Sequence, residues 1–332
     1  MEELSAVSQN IDPFTHNVAL ERLPQTVSGI EARTSEWLKA WRMFLEAPLF
    51  GIGMGNYAWY SFQYQALPEF SHVPKPLLFS HSHNLFTQVL AETGIAGFSI
   101  LLGLIIGWIK QFKESGFSLH GWFIAAALLV LFVHSNLEFP LWYSYFLGIA
   151  AVMLGLGDHS TVRLAFTPWL GRLGAGLALL LAGFILFFTL AGFRSLANAP
   201  NTFIETDAQE TVYTLLRIAN NPLLEPYAEA MLAMVMPLSK DGIEEKLRIT
   251  TRAFKRNPTA FIAYKQATLL ALNGQSQEAN QLLEHSARAY PDTLARYIKM
   301  LKTLPDRKAQ TLRERAEQLH ADLGILEHES SQ

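Results

Sequence analysis

Apolar and polar positions along the chain fall into three regimes. Residues 1–31 show no periodicity, carry scattered acids with Pro13 and Pro24, and read as loop. From Arg33 a helical period sets in: Trp37, Ala40, Trp41, Phe44 and Leu45 recur at helical spacing beside Arg33, Lys39 and Arg42. Pro48 and the run Gly51-Ile52-Gly53-Met54-Gly55 end that helix. Tyr57 to Pro76 is aromatic and proline-rich, the composition of a loop on a membrane interface.

The second regime is four apolar runs bounded by charge, between Glu92 and Lys110, Glu114 and Glu138, Glu138 and Asp158, and Arg172 and Arg194. Each is close to the roughly 20 residues that cross a bilayer, so the pattern predicts four membrane helices. Lys110 and Lys113 lie in one short loop, Arg163 and Arg172 in another. The positive-inside rule puts both in the cytoplasm, so the stretch before Glu92, the turn at Glu138 and everything after Arg194 face the other side.

The third regime begins at Ser195 with amphipathic helices. Asn221-Pro222, Asn257-Pro258 and Tyr290-Pro291 recur at spacings of 36 and 33 residues. Ala263, Ala267, Leu270, Ala271 and Leu272 precede an Asn273-Gly274 turn, and Ala279, Leu282, Leu283 and Ala287 follow it. This resembles degenerate tetratricopeptide repeats, whose helix pairs share a core and offer a concave surface. The expected fold is all-α: an external loop over 1–91, polytopic membrane helices over 92–194, and a helical TPR-like domain over 195–332. A plain helical domain without a binding role fits the tail equally.

Composition agrees with a mixed chain. Half of the 332 residues are hydrophobic and only 17% charged, too apolar for an ordinary soluble protein and too polar for one that is membrane throughout. A net charge of −3 gives no footprint for nucleic acid. The absence of cysteine excludes disulfides, thiolate metal ligands and a thiol nucleophile. The first thirty residues hold no apolar run of the signal-peptide kind. The later spans would then direct insertion, or the chain is the C-terminal portion of something longer.

Candidate chemistry gathers at Phe79-Ser80-His81-Ser82-His83-Asn84, running through Glu92-Thr93-Gly94 into the first span. Ionisable groups at a bilayer edge are costly to desolvate and so point to function. The glycine run at 51–55 is no phosphate loop, because no strand precedes it and no Lys-Ser/Thr follows; glycines there suit close backbone approach.

Three further stretches carry a resemblance. Arg33-Thr34-Ser35-Glu36-Trp37, Pro48-Leu49-Phe50-Gly51-Ile52-Gly53-Met54-Gly55-Asn56-Tyr57, and His83-Asn84 with Glu92-Thr93-Gly94-Ile95-Ala96-Gly97 are similar to the O-antigen ligase and polymerase superfamily. Glu138-Phe139-Pro140-Leu141-Trp142-Tyr143 and the repeat-bearing tail look most like its pilin-type protein O-oligosaccharyltransferases. The resemblance implies a bacterial inner-membrane glycosyltransferase working at the periplasmic face. It would move a glycan from undecaprenyl diphosphate to a hydroxyl, with no metal, cofactor or nucleotide sugar. The acceptor would be a periplasmic, pilin-like protein, with a lipid core glycan (ligase) or the growing glycan (polymerase) as alternatives. The family also carries membrane helices ahead of this region, with another arginine at the diphosphate site.

Residue by residue, the resemblance puts Arg33 on the diphosphate, where a planar guanidinium meets phosphate oxygens with directed donors. His83 is carried over as base or donor-positioning group, with His81 and His72 as alternatives. Tyr143 joins Arg33 and His83 as a catalytic candidate, on the same outer side as Glu138, and Arg42, His81, Asn84, Glu92 and Glu138 are expected to bind the substrate. A solvated helix face accounts equally for Lys39 and Arg42, an interfacial belt for Tyr143, and packing for His134. A non-catalytic membrane anchor displaying a repeat adaptor is the reading from another class. A transporter is disfavoured by the near absence of ionisable groups inside the spans.

Overall fold

A computed structural model describes residues 22–67, 69–70, 78–114, 118–158, 167–205 and 208–329, and these residues are helical with no strand among them. Expectations resting on 1–21, His72 and Arg163 lie outside the described residues. The first helix, α1, covers Arg22–Glu46 and so begins about three turns ahead of the Arg33 start read from periodicity. Its faces are also exchanged. Trp37, Trp41 and Leu45 point outward, while Ala32, Ser35, Glu36, Lys39, Ala40 and Met43 are buried. Helical spacing fits two faces at once. The polar face won because its polar groups find partners on the next element.

That element, α2, spans Tyr57–Gln65, a helix where an interfacial loop was expected. Its Tyr57, Phe62 and Tyr64 are buried against protein. Lys39 Nζ donates to Glu36 Oε1 (2.7 Å), Gln65 Oε1 (2.7 Å) and Ser61 Oγ (3.2 Å). The Tyr57 hydroxyl and Ser61 Oγ approach Glu36 Oε2 at 3.0 and 3.1 Å. All three ammonium donors are thus met, the condition under which a buried pair is tolerable. Lys39 belongs to no solvated face.

The glycine run does serve close backbone approach. Helix α3, Leu85–Glu114, is broken at Gly94 (φ 63°, ψ −164°). The peptide groups freed by the break pair with the loop after α1: Ile52 N to Ala91 O and Gly53 N to Glu92 O, both 3.0 Å; Ile95 N to Pro48 O, 2.9 Å; Ala96 N to Leu49 O, 3.1 Å. A Cβ on Gly51 would sit 2.3 Å from the Glu92 carbonyl carbon, and one on Gly94 2.5 Å from that of Leu49. Two left-handed glycines therefore form a reciprocal joint between loop and helix.

The apolar middle continues with α4 (Leu119–Ser135), a 3-10 turn (Pro140–Trp142), α5 (Ser144–Gly157) and α6 (Pro168–Glu205). Among the described residues, two helices are long and apolar enough to cross a membrane, Leu85–Lys113 and Pro168–Arg194; α4 and α5 are shorter apolar helices. Helix α4 packs on α5, and Trp108 of α3 donates from Nε1 to Leu154 O at 3.0 Å.

Beyond α6 follow α7 (Ala208–Ala219), α8 (Glu225–Val235), α9 (Ile243–Arg256), α10 (Ala260–Leu272), α11 (Ser276–Ala289), α12 (Pro291–Lys302) and α13 (Arg307–Glu329). Helices α10 and α11 join at the Asn273-Gly274 turn with Gly274 at φ 89°, where the pattern put it. This tail grips α2. Phe62 packs edge-on to Phe254 (5.0 Å) and stacks on His285 (4.4 Å), whose Nε2 lies 2.7 Å from Phe62 O. Helix α2 thereby ties the tail to the helix that bears Arg33.

Candidate functional site

Asn84 starts α3 as its N-cap: Oδ1 accepts from Phe86 N (3.0 Å) and Thr87 N (3.1 Å), meeting two of the helix's orphan donors. Gln88, one turn in, reaches back so that its Oε1 accepts from Ser82 N at 2.8 Å, and Ser82 Oγ donates to Asn84 O at 3.0 Å. This clasp holds His83 in the left-handed region at φ 55°, the one described non-glycine residue with positive φ. Such backbone is uncommon outside glycine and gathers at functional sites.

The turn between α4 and α5 supplies the other wall. Glu138 Oε1 accepts from Arg33 Nη2 at 2.9 Å, and His83 Nδ1 lies 3.2 Å from Glu138 Oε2. Asn136 Oδ1 accepts from Asn84 Nδ2 at 3.2 Å, locking turn to cap. Arg33, Glu138 and His83 thus form one chain of charge-bearing groups across three elements far apart in sequence. Arg33 and Glu138 remain 42% and 46% exposed, while the His83 side chain is 8% exposed. The His81 ring stacks flat on Phe139 at 3.4 Å and lies 4.1 Å from the His83 ring. His83, Asn84, Gln88, Ser135, Glu138 and Trp142 line a small cleft.

The wiring fixes the tautomer. With Nδ1 facing a carboxylate, the neutral imidazole of His83 carries its proton on Nδ1 and leaves the Nε2 lone pair open. His83 Nε2 and His81 Nε2 are both buried without a hydrogen-bond partner. Burial lowers the pKa of His83, as does the nearby Arg33, against the upward pull of Glu138. Burial, with the His83 ring, lowers His81 to about 4 against the weaker pull of Glu138. Both rings are therefore neutral near pH 7.

His81, His83 and Glu138 offer ligand atoms all within 4.8 Å of one another, a spacing open to a metal ion. However, Glu138 is already engaged by Arg33 at 2.9 Å, so a divalent cation would enter against a guanidinium charge. The arrangement suits an incoming anion better.

Other residues singled out in the sequence stand apart. Glu92 Oε1 accepts from Gly55 N (3.0 Å) and Tyr57 N (3.4 Å), capping α2, and its carboxylate is also hydrogen-bonded by Gln88, so it stands behind the cleft wall and not in it. Arg42 pairs with Glu46 and Glu69 and lies over the Tyr64 ring at 5.0 Å. Tyr143 touches the site through Phe139, ring to ring at 6.4 Å. Sequence reasoning missed Asn136 and Gln88. Asn136 had a signal, since Asn136 and Glu138 are the polar residues of a turn between two apolar runs.

Residues 4–102 match the family described as O-Antigen ligase, and residues 122–304 match virulence factor membrane-bound polymerase, C-terminal. No curated protein and no solved structure matches the chain.

Proposed function

The chain belongs to the O-antigen ligase and polymerase superfamily, a membrane glycosyl-transfer family working on lipid-linked glycans, and from that premise we propose that it moves a glycan from undecaprenyl diphosphate to a protein hydroxyl at the periplasmic face. One observation carries the reading: Arg33 and His83 converge on Glu138, with His83 Nε2 buried and without a hydrogen-bond partner. The acceptor oxygen attacks the anomeric carbon as its proton passes to His83 Nε2. The bond from that carbon to phosphate breaks, and the diphosphate leaves with the electron pair. Arg33 takes up the charge that develops on it, in the manner of preorganised donors at a leaving group. Glu138 holds both groups in register and stabilises the imidazolium.

In this reading α3, α4, α5 and α6 are all spans. Helix α4, with 17 residues, reaches about 25 Å of the roughly 30 Å hydrocarbon core. Helix α5 gains length from the Pro140–Trp142 turn. The tail is TPR-like and presents the acceptor protein. A glycan acceptor is the second reading, favoured by the ligase and polymerase descriptions of the two matched families.

The test is mass spectrometry of exported proteins and of lipid-linked glycans from cells with and without the gene. A glycan mass on serine or threonine supports a protein acceptor. A capped lipid core or a longer lipid-linked glycan supports the second reading. Identical profiles overturn both.

A further inference from the structure

The turn joining α7 and α8 lies against α6 in a way that fixes its height. Gly192 has no side chain, and a Cβ there would meet Leu224 Cδ1 at 2.3 Å, so Leu224 fills the space that glycine leaves. Gly192 sits two residues inside the end of the apolar stretch Pro168–Arg194, whose 27 residues rise about 40 Å. That length matches a bilayer including its headgroups, so Gly192 lies at headgroup level. The chain path agrees. Helix α6 runs about 17 Å past Arg194 to Glu205, and the 12 residues of α7 come back by about 18 Å. The α7–α8 hairpin therefore points its tip at the membrane.

The tip is built to present apolar groups. Asn221 Oδ1 accepts from Leu223 N at 3.1 Å, and Asn221 O accepts from Leu224 N (2.9 Å) and Glu225 N (2.8 Å). Within this fixed turn Leu224 faces α6, while Leu223 and Tyr227 are 56% and 63% exposed. The related turns differ: the residue after proline is Leu223 in the first, Thr259 in the second and Asp292 in the third. Only the turn beside the apolar helix carries a large apolar residue at that position. Tyrosine is also favoured where one end of a side chain is apolar and the other wet.

The geometry points to a membrane-docking tip, in which Leu223 and Tyr227 insert into the boundary between headgroups and acyl chains of the leaflet beside the tail. This rests on the reading of α6 as a membrane span. The docked tip anchors the first helix pair of the tail, which otherwise packs on α6 and on α9.

The chain has no cysteine, so single-cysteine variants L223C, L180C and E314C carry an environment-sensitive fluorophore at one defined place. Each is placed in bilayers of brominated lipid, with iodide as the aqueous quencher. L180C, mid-span on α6, loses most of its emission to brominated lipid; E314C, on α13, loses it to iodide. The docking tip predicts that L223C behaves like L180C, with bromines near the glycerol quenching best. L223C quenched by iodide like E314C overturns the docking. L223C shielded from both quenchers overturns it too, because protein then covers the tip. L180C unquenched by lipid overturns the span reading itself, and the proposal with it.

Discussion

Lys39→Met is expected to be among the most destabilising single changes in the chain. Lys39 and Glu36 are each 1% exposed and 2.7 Å apart. Removing the ammonium leaves a buried carboxylate with only the Tyr57 and Ser61 hydroxyls against it. Breaking one side of a buried pair costs about 3–5 kcal/mol, a fall in melting temperature of roughly 10 °C for a chain of this size. The loss depends on pH. Burial raises the Glu36 carboxyl above 4.5, and Lys39 opposes that rise; without Lys39 it rises further. A carboxyl with a raised folded pKa contributes its stability fully below the unfolded value and loses it as pH climbs through the folded one. The variant is therefore closest to the parent in acid and furthest from it above neutral. The assay is thermal unfolding in detergent from pH 4 to 9, with Glu36→Gln/Lys39→Met as partner. The double variant should recover much of the loss and show none of the added pH dependence of Lys39→Met. A Lys39→Met melting curve that overlays the parent at every pH would refute the buried pair.

Gly51→Ala and Gly94→Ala should each lower the melting temperature well beyond Gly55→Ala. All three have positive φ, at a cost of about 1–2 kcal/mol for a side chain, but only the first two also drive a Cβ into backbone. Glu138→Gln should lower turnover and move the acid limb of the pH–rate profile to lower pH, since Glu138 is what raises His83; a limb that stays put would remove His83 as the titrating group. Phe62→Ala should cost about 3–5 kcal/mol and speed hydrogen exchange in α2, α9 and α11 together. Exchange confined to α2 would mean that the tail does not grip it.

Much of the site was legible because its residues are polar where the pattern is apolar. His83, Asn84 and Glu138 stand at the ends of apolar runs, and the topology expected from the charged loops put them on one side. The partner of Arg33 was not legible: 105 residues separate it from Glu138, and nothing in spacing links them. Glu36 and Lys39 look like any i, i+3 pair on a wet helix. What buries them is α2, hidden because its tyrosines and Trp59 read as interfacial aromatics. The apolar surface that Trp59 and Phe62 meet is Phe254 and Tyr290 of the tail. Glu92 drew notice as an acid before a span. Its task follows from the Gly94 break, which brings the start of α2 to its side chain.

The most direct test of the account is release of undecaprenyl diphosphate from lipid-linked glycan by membranes carrying the parent chain or His83→Ala, in cells that also supply the acceptor. Loss of a positioned proton acceptor predicts a fall of about 10²–10⁴-fold, with the protein still inserted and folded. Release at the parent rate from a folded His83→Ala protein would contradict the role of His83 in glycosyl transfer.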